Sequence, residues 1–293
     1  MISIVVTGSN GQVGSELQAL AAAYPQFEFH FTDAQNLDIT KSEQVDNFFA
    51  KHAPNYCINC AAYTAVDKAE TESDLAQQIN VTGAQNLAQA CANHQAQLLH
   101  LSTDYVYHNQ QNTPFKEGDL THPQSVYART KLAGDDIALA THPQTMVLRT
   151  SWVYSSFGHN FVKTMIRLGT ERDQLGIVFD QIGTPTYARD LADTMLHLIE
   201  QKENGQFSAA QLQGVFHYSN EGVCSWYDFA LAIFELENIN CIVKPIETTA
   251  YPTPASRPPF SVLNKHKFTS TFGIDIPHWR ESLRACLLAL KKN

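Results

Sequence analysis

With 293 residues, 44% of them hydrophobic and 17% charged, the chain has the balance of a folded α/β protein rather than a disordered one. A formal net charge of -9 leaves no broad cationic surface to neutralise phosphates, which speaks against a nucleic-acid partner but not against an anionic small molecule held by a few local cations. No stretch approaches the roughly 18 apolar residues of a membrane span. The apolar run 1–6 is too short for a secretion signal, and six scattered cysteines suit a reducing compartment, so a cytoplasmic protein without a membrane partner is expected.

Strand and helix patterns alternate through the first half, which predicts a doubly wound parallel (Rossmann) sheet with crossover helices. Residues 2–6 read as the first strand and 12–23 as a helix with Val13, Leu17 and Leu20 at helical spacing. Strands follow at 27–31, 56–60, 97–102 and 145–150, and helices at 42–52, 75–94 and 125–140. Beyond 150 the regularity loosens: helices near 160–171, 187–201, 226–236 and 279–290 mix with short strands near 175–179 and 215–218. The expected division is a dinucleotide-binding domain over 1–150 and a mainly substrate-binding lobe over 151–293, with segments that can cross back into the core. The proline-rich stretch 251–259 reads as an ordered loop because Arg257 and aromatics punctuate it.

Gly8-Ser9-Asn10-Gly11-Gln12-Val13-Gly14 falls where the first strand turns into the first helix. Glycines there allow a sharp turn, close backbone approach to a pyrophosphate and tight helix–strand packing, while the helix N-terminus offers free N–H groups. Asp33 follows the second strand, where a carboxylate can bind the ribose diol of NAD; with no arginine or lysine nearby to receive a 2′-phosphate, the pattern leans towards NADH. A solvated turn aspartate is the competing reading of Asp33. Cys57 and Cys60 have the spacing of a metal half-site, but three residues apart on a strand they point to opposite faces, so two buried structural thiols are expected.

Tyr127 and Lys131 stand four residues apart at the start of a helix and therefore share a face. A free phenol titrates near ~10, and a neighbouring cation lowers that value, which makes the pair a proton donor. Thr103 ends the fourth strand, at the sheet edge where open α/β proteins place ligands, and its hydroxyl can orient a ketone oxygen.

At these residues the chain resembles the extended short-chain dehydrogenase/reductases and, within them, the dTDP-4-dehydrorhamnose reductase family. The resemblance is carried by the glycine turn with Gln12 inside it, by Asn59-Cys60-Ala61-Ala62-Tyr63-Thr64-Ala65-Val66-Asp67-Lys68-Ala69-Glu70, and by Ser102-Thr103-Asp104-Tyr105-Val106-Tyr107. It continues in Arg149-Thr150-Ser151-Trp152-Val153-Tyr154, in Gly183-Thr184-Pro185-Thr186 after Asp180-Gln181, and in Pro252-Thr253-Pro254-Ala255-Ser256-Arg257-Pro258, so it spans nearly the whole chain.

The resemblance implies reduction, with NADPH or NADH, of the 4-keto group of dTDP-6-deoxy-L-lyxo-4-hexulose to dTDP-L-rhamnose. It implies Tyr127 as proton donor, Lys131 as its tuner and ribose ligand, and Thr103 as orienter of the ketone. On the cofactor it implies contacts from Gly8, Asn10, Gly11, Gln12, Val13, Gly14, Asp33, Asp38, Ile39, Ala61, Ala62 and Tyr63. On the substrate it implies Thr103, Asp104, an indole face of Trp152 against the sugar ring, and Arg257 facing the diphosphate or nucleotide; a core tryptophan and a surface loop arginine are the competing readings of the last two.

Two departures stand out. Ala128 occupies a position that is often glycine in the family, and the chain ends at 288–293 without the acidic residues that bind magnesium at a dimer contact in some members. Asp190 alone makes a poor metal site, so no metal is expected and a homodimer has no metal-based support. The rival readings are a nucleotide-sugar epimerase or dehydratase, which would retain NAD+ tightly, and a non-catalytic cofactor-binding regulatory subunit on the same fold. The intact set Thr103, Tyr127 and Lys131 favours catalysis.

Overall fold

The first strand, β1 (Ile2–Thr7), is apolar at successive positions because both of its faces are covered: Ile4 and Val6 pack on one side of the sheet and Val5 on the other. In a computed structural model that describes residues 1–292, it lies in a six-stranded sheet with β2 (Phe27–Phe31), β3 (Tyr56–Asn59), β4 (Gln97–Thr103), β5 (Thr145–Thr150) and β6 (Gly214–His217). The spatial order is β6-β5-β4-β3-β1-β2 with every pairing parallel, which is the expected doubly wound arrangement. The order reverses at β1, which is flanked by β2 and β3, so a crevice opens beyond the carboxyl ends of β1 and β3.

Helices α1 (Gln12–Leu20), α2 (Ser42–His52), α3 (Ala84–His94), α4 (Val126–Thr141) and α5 (Ala188–Glu203) cover the two faces. Leu17 and Leu20 of α1 join Leu191 and Met195 of α5 on one side. Val45 and Phe49 of α2, Leu87 and Cys91 of α3 and Ala138 of α4 fill the other. Residues beyond 150 divide between two cores. Helix α5, strand β6 and the short helix His266–Phe272 pack on the sheet. Three helices, Phe161–Glu171, Trp226–Glu237 and Trp279–Leu290, enclose a separate core with Phe229, Ile233 and Leu283. That lobe also holds the parallel pair Gln174–Val178 and Ile242–Ile246.

The expected elements fall within a few residues of the observed ones, with several differences, and the helix Val66–Ala69 and the strand Ile242–Ile246 have no expected counterpart. The first helix ends at Leu20 and continues as a 3-10 turn, Ala21–Ala23. The helix His266–Phe272 has no counterpart in the sequence reading; seven residues are too few to carry a clear period. The stretch expected as one helix over 75–94 is broken into Ser73–Gln77, a π segment Gln78–Gly83 and α3.

The wide turn has a positional effect, as such bulges usually do. It delivers Asn80, whose Oδ1 accepts from the Tyr63 N–H at 2.8 Å and whose Nδ2 donates to Thr130 Oγ1 at 3.0 Å. Helix α4 passes so close that a Cβ on Gly134 would lie 2.2 Å from the Asn80 carbonyl oxygen. Gly134→Ala must therefore push α4 off the π turn. Overpacking of this kind costs about 1–3 kcal/mol, so the thermal unfolding midpoint should fall by several degrees; an unchanged midpoint would show that the contact is not tight.

Candidate active site

The site begins at the crevice. Thr7 hands over to Gly8, which has φ +65°. A Cβ on Gly8 would lie 2.6 Å from the Ala61 nitrogen, and one on Gly14 would lie 2.5 Å from Ser9 Cα. Only glycine lets the segments that follow β1 and β3 touch in this way. Helix α1 starts at Gly11 with no side-chain cap and no acidic residue in its first turn, so its N-terminal N–H groups and positive dipole end remain available. This is a fit for a dinucleotide pyrophosphate.

A cleft of about 820 Å3 runs from this turn along the sheet edge. Gly8, Asn10, Gly11, Gln12, Val13, Asp33, Asp38, Ile39, Ala61 and Ala62 line it, as expected for the cofactor end. Asp33 Oδ2 accepts from Asn10 Nδ2 at 2.5 Å, and Oδ1 accepts from the Gln35 N–H at 2.9 Å, so the carboxylate is fixed at the end of β2. Gln12 also clamps the lobe: its Nε2 donates to the Val153 carbonyl and its Oε1 accepts from Asn160. Gly14 and Tyr63 do not line the cleft. Gly14 serves helix packing, while Tyr63 ties its N–H to Asn80 and its phenol to Glu72. Cys57 is buried as expected, but Cys60 is half-buried and lines the cleft, because β3 ends at Asn59.

Thr103, Asp104, Tyr127 and Lys131 line the same cleft. Ser125 caps α4 by accepting from the Ala128 N–H at 3.1 Å, which sets Tyr127 in the first turn. The Tyr127 ring meets Tyr105 edge-on at 5.8 Å. Burial pushes its phenol up to about 12 against the pull of the Thr103 hydroxyl, and the charges of Asp104 and Asp135 push the same way as burial. Lys131 is turned beneath the cleft floor: its Nζ donates to the Leu101 carbonyl at 2.7 Å and lies 3.4 Å from His100 Nε2. Burial holds this ammonium below the usual lysine range, with Asp135 acting against that. The Tyr127 phenol is therefore raised rather than lowered, because burial is the largest influence on it.

Asp104, 1% exposed, is raised to about 7 by burial, opposed by the neighbouring hydroxyls of Ser261 and Thr103. Its Oδ1 accepts from Thr103 Oγ1 at 3.2 Å, and its Oδ2 has no protein partner.

Two expected substrate contacts are placed differently. Trp152 lines the cleft, but its indole stacks on Trp226 at 3.6 Å and 9°, and a Cβ on Gly183 would sit 2.6 Å from it. The ring is packed as half of an aromatic pair, so it has no free broad face on the Trp226 side. Arg257 lies outside the cleft lining and grips Asp67 with two nitrogens, at 3.0 and 2.8 Å, latching the proline-rich loop to the segment after β3. Sequence reasoning missed Trp226, Gly158 and His159, which also line the cleft. Only the Ser225–Asp228 capping box beside Trp226 marked that region as a helix start.

A Rossmann sheet with a glycine turn at its switch point, and a Tyr–Lys helix beside a strand-end hydroxyl, defines an extended short-chain dehydrogenase/reductase. Residues 2–292 match the family model described as RmlD substrate binding domain, and the chain belongs to that family. It is 40% identical over 291 residues to a dTDP-4-dehydrorhamnose reductase of Aggregatibacter actinomycetemcomitans, covering 97% of this chain and 98% of the relative. Among solved structures it is similar to a dTDP-4-dehydrorhamnose reductase of Clostridium acetobutylicum, with TM-score 0.93 and 43% identity over 99% of this chain and 100% of that one. It is likewise similar to the Bacillus anthracis enzyme in complex with NADP, with TM-score 0.92 and 37% identity over 99% and 100% of the two chains.

The raised Asp104 has a pH signature. Its folded value lies above its unfolded one, so folding takes up a proton, and the cost of ionising it in place grows from about pH 4 until about pH 7. Asp104→Asn should therefore unfold at a higher temperature than the parent at pH 8. The difference should shrink as the pH is lowered to 4, followed by calorimetry; a gap that does not vary with pH would refute the assignment.

Proposed function

We propose that the protein reduces the 4-keto group of dTDP-6-deoxy-L-lyxo-4-hexulose to give dTDP-L-rhamnose, with NADPH or NADH as reductant. The observation that carries this reading is that Thr103, Tyr127 and Lys131 share one cleft with the uncapped glycine turn of α1. When bound, the reduced nicotinamide supplies the hydride. Gly8, Gly11 and the first N–H groups of α1 would hold the pyrophosphate, and Asp33 would face the adenosine ribose.

Tyr127 holds the proton that the nascent alkoxide needs, on an oxygen raised by burial and so kept protonated at neutral pH. The Thr103 hydroxyl orients the carbonyl and steadies its developing charge. Lys131, whose ammonium is held by the Leu101 carbonyl, would bind the cofactor ribose and offset the phenolate left behind. Asp104 and the edge of the Trp152–Trp226 pair border the sugar, and Arg257 acts indirectly by fixing the loop that carries it. Six thiols with no disulfide among them support a cytoplasmic setting. Among the described residues no helix is long and apolar enough to cross a membrane.

Tyr127→Phe should lower kcat by about 10²–10⁴-fold while leaving NAD(P)H affinity within a few-fold of the parent. Turnover follows the loss of dinucleotide absorbance with the dTDP-ketosugar, and affinity follows fluorescence titration. Turnover near the parental rate would remove Tyr127 from the mechanism, and a parent that oxidises neither dinucleotide would overturn the reductase reading.

A further inference from the structure

Behind the cleft floor lies a group of buried charges that the mechanism so far uses only through Lys131. Asp135, one turn beyond Lys131 on α4, is 0% exposed. Its Oδ2 accepts from Ser102 Oγ at 2.8 Å and from Arg149 Nε at 3.2 Å. Among the described residues its Oδ1 has no hydrogen-bond partner, and it lies 3.7 Å from His100 Nε2. That nitrogen is in turn 3.4 Å from Lys131 Nζ.

The imidazole's proton can be placed from its other side. Asn59 Oδ1 accepts from Thr7 Oγ1 at 2.6 Å and from the Ala61 N–H at 3.0 Å, so its amide nitrogen faces His100 Nδ1 at 2.9 Å and donates to it. Nδ1 is therefore the acceptor, and the single proton of the neutral ring sits on Nε2, between Asp135 and Lys131. Burial and the Lys131 charge keep that ring neutral.

Around Lys131 stand Asp135, one turn further along its own helix, His100 on β4 and the Cys60 thiol after β3, with Tyr127 one turn back on the same helix, while Arg149 on β5 lies beyond and binds Asp135. Asp104 faces Tyr127 from the turn after β4. Arg149 spends its other end on the Tyr107 phenol at 2.7 Å, which itself meets His217 at 2.9 Å. One buried carboxylate thus serves two buried cations. The group carries one surplus positive charge while Tyr127 keeps its proton and is balanced once that proton is given up.

We propose that Asp135 is a positioning residue for the reduction: across His100 it supplies the negative charge that keeps Lys131 protonated while Tyr127 gives its proton to the ketosugar. This rests on the reductase reading above. A buried carboxylate with one oxygen free of protein donors would otherwise be a standing cost to the fold. Here the free oxygen lies 3.7 Å from His100 Nε2, the same nitrogen that lies 3.4 Å from the ammonium.

The test compares the parent with Asp135→Asn. Two profiles are measured across one pH range: kcat with NAD(P)H and the dTDP-ketosugar, and the NAD(P)H dissociation constant from tryptophan quenching. Loss of the negative charge lowers the pH at which Lys131 and Tyr127 lose their protons. The alkaline limb of kcat and the alkaline weakening of cofactor binding should both move to lower pH, by about one unit or more. A kcat reduced by one constant factor at every pH, with both limbs unmoved, would overturn the proposal. If the parent fails to turn over the ketosugar, the reductase reading falls, while the cofactor-binding profile still judges Asp135. Should Asp135→Asn fail to fold because Arg149 is left unpaired, Arg149→Met provides the opposite arm: it removes the competing cation, leaves the Asp135 charge to Lys131 alone, and should move both limbs to higher pH, with unmoved limbs overturning the proposal.

Discussion

Backbone contact between the segments that follow β1 and β3 is the constraint on which the site is built. With no Cβ at Gly8 the chain turns against Ala61, and with none at Gly14 helix α1 seats on Ser9. That seating fixes the direction of the helix N-terminus and hence where an anion can lie. The residues after β3 are held in turn by two asparagines, Asn59 from below and Asn80 from the π turn. Asn80 also reaches Thr130, so the glycine turn and the Tyr127–Lys131 helix are registered through a single amide. A side chain at either glycine would therefore disturb both ends of the cleft.

Desolvation is the second theme. The groups that carry the chemistry lie where water is largely excluded, and the same burial raises Tyr127 and Asp104 and lowers Lys131 and His100. In such surroundings each charge is felt strongly by its neighbours, and the identity of the counter-charge matters more than its sequence distance. Asp135, Arg149 and Tyr107 come from three different elements, yet they join in one hydrogen-bonded chain behind the cleft.

Much of this was legible in the chain itself. Continuous apolar strands alternating with helical periods could only be buried on both faces, which is why β1 to β5 and their helices were expected where they lie. That the glycine turn, Thr103, Tyr127 and Lys131 lie along one cleft was readable because local spacing sets them at the carboxyl edge of the sheet. What escaped depends on partners far away in sequence. Arg257 finds Asp67 across 190 residues, and a paired guanidinium looks the same in sequence as one waiting for a diphosphate. In sequence Trp152 fits an aromatic wall and a core tryptophan equally well, and only the Trp226 stack shows it packed as half of a pair. The orientation of the Lys131 ammonium follows from the Leu101 carbonyl and from His100, neither of which any spacing rule points to.

The way β6 joins the sheet also bears on how the chain comes to be folded. Residues 145–150 and 214–217 are neighbours, and α5, which shields one side of the sheet, lies between them in the chain. During synthesis the apolar surface shared by α1 and α5 stays uncovered until about two-thirds of the polypeptide has emerged. A nascent chain halted before that point presents a half-clad sheet with an open edge beside β5, the kind of intermediate that chaperones capture and that self-associates in their absence.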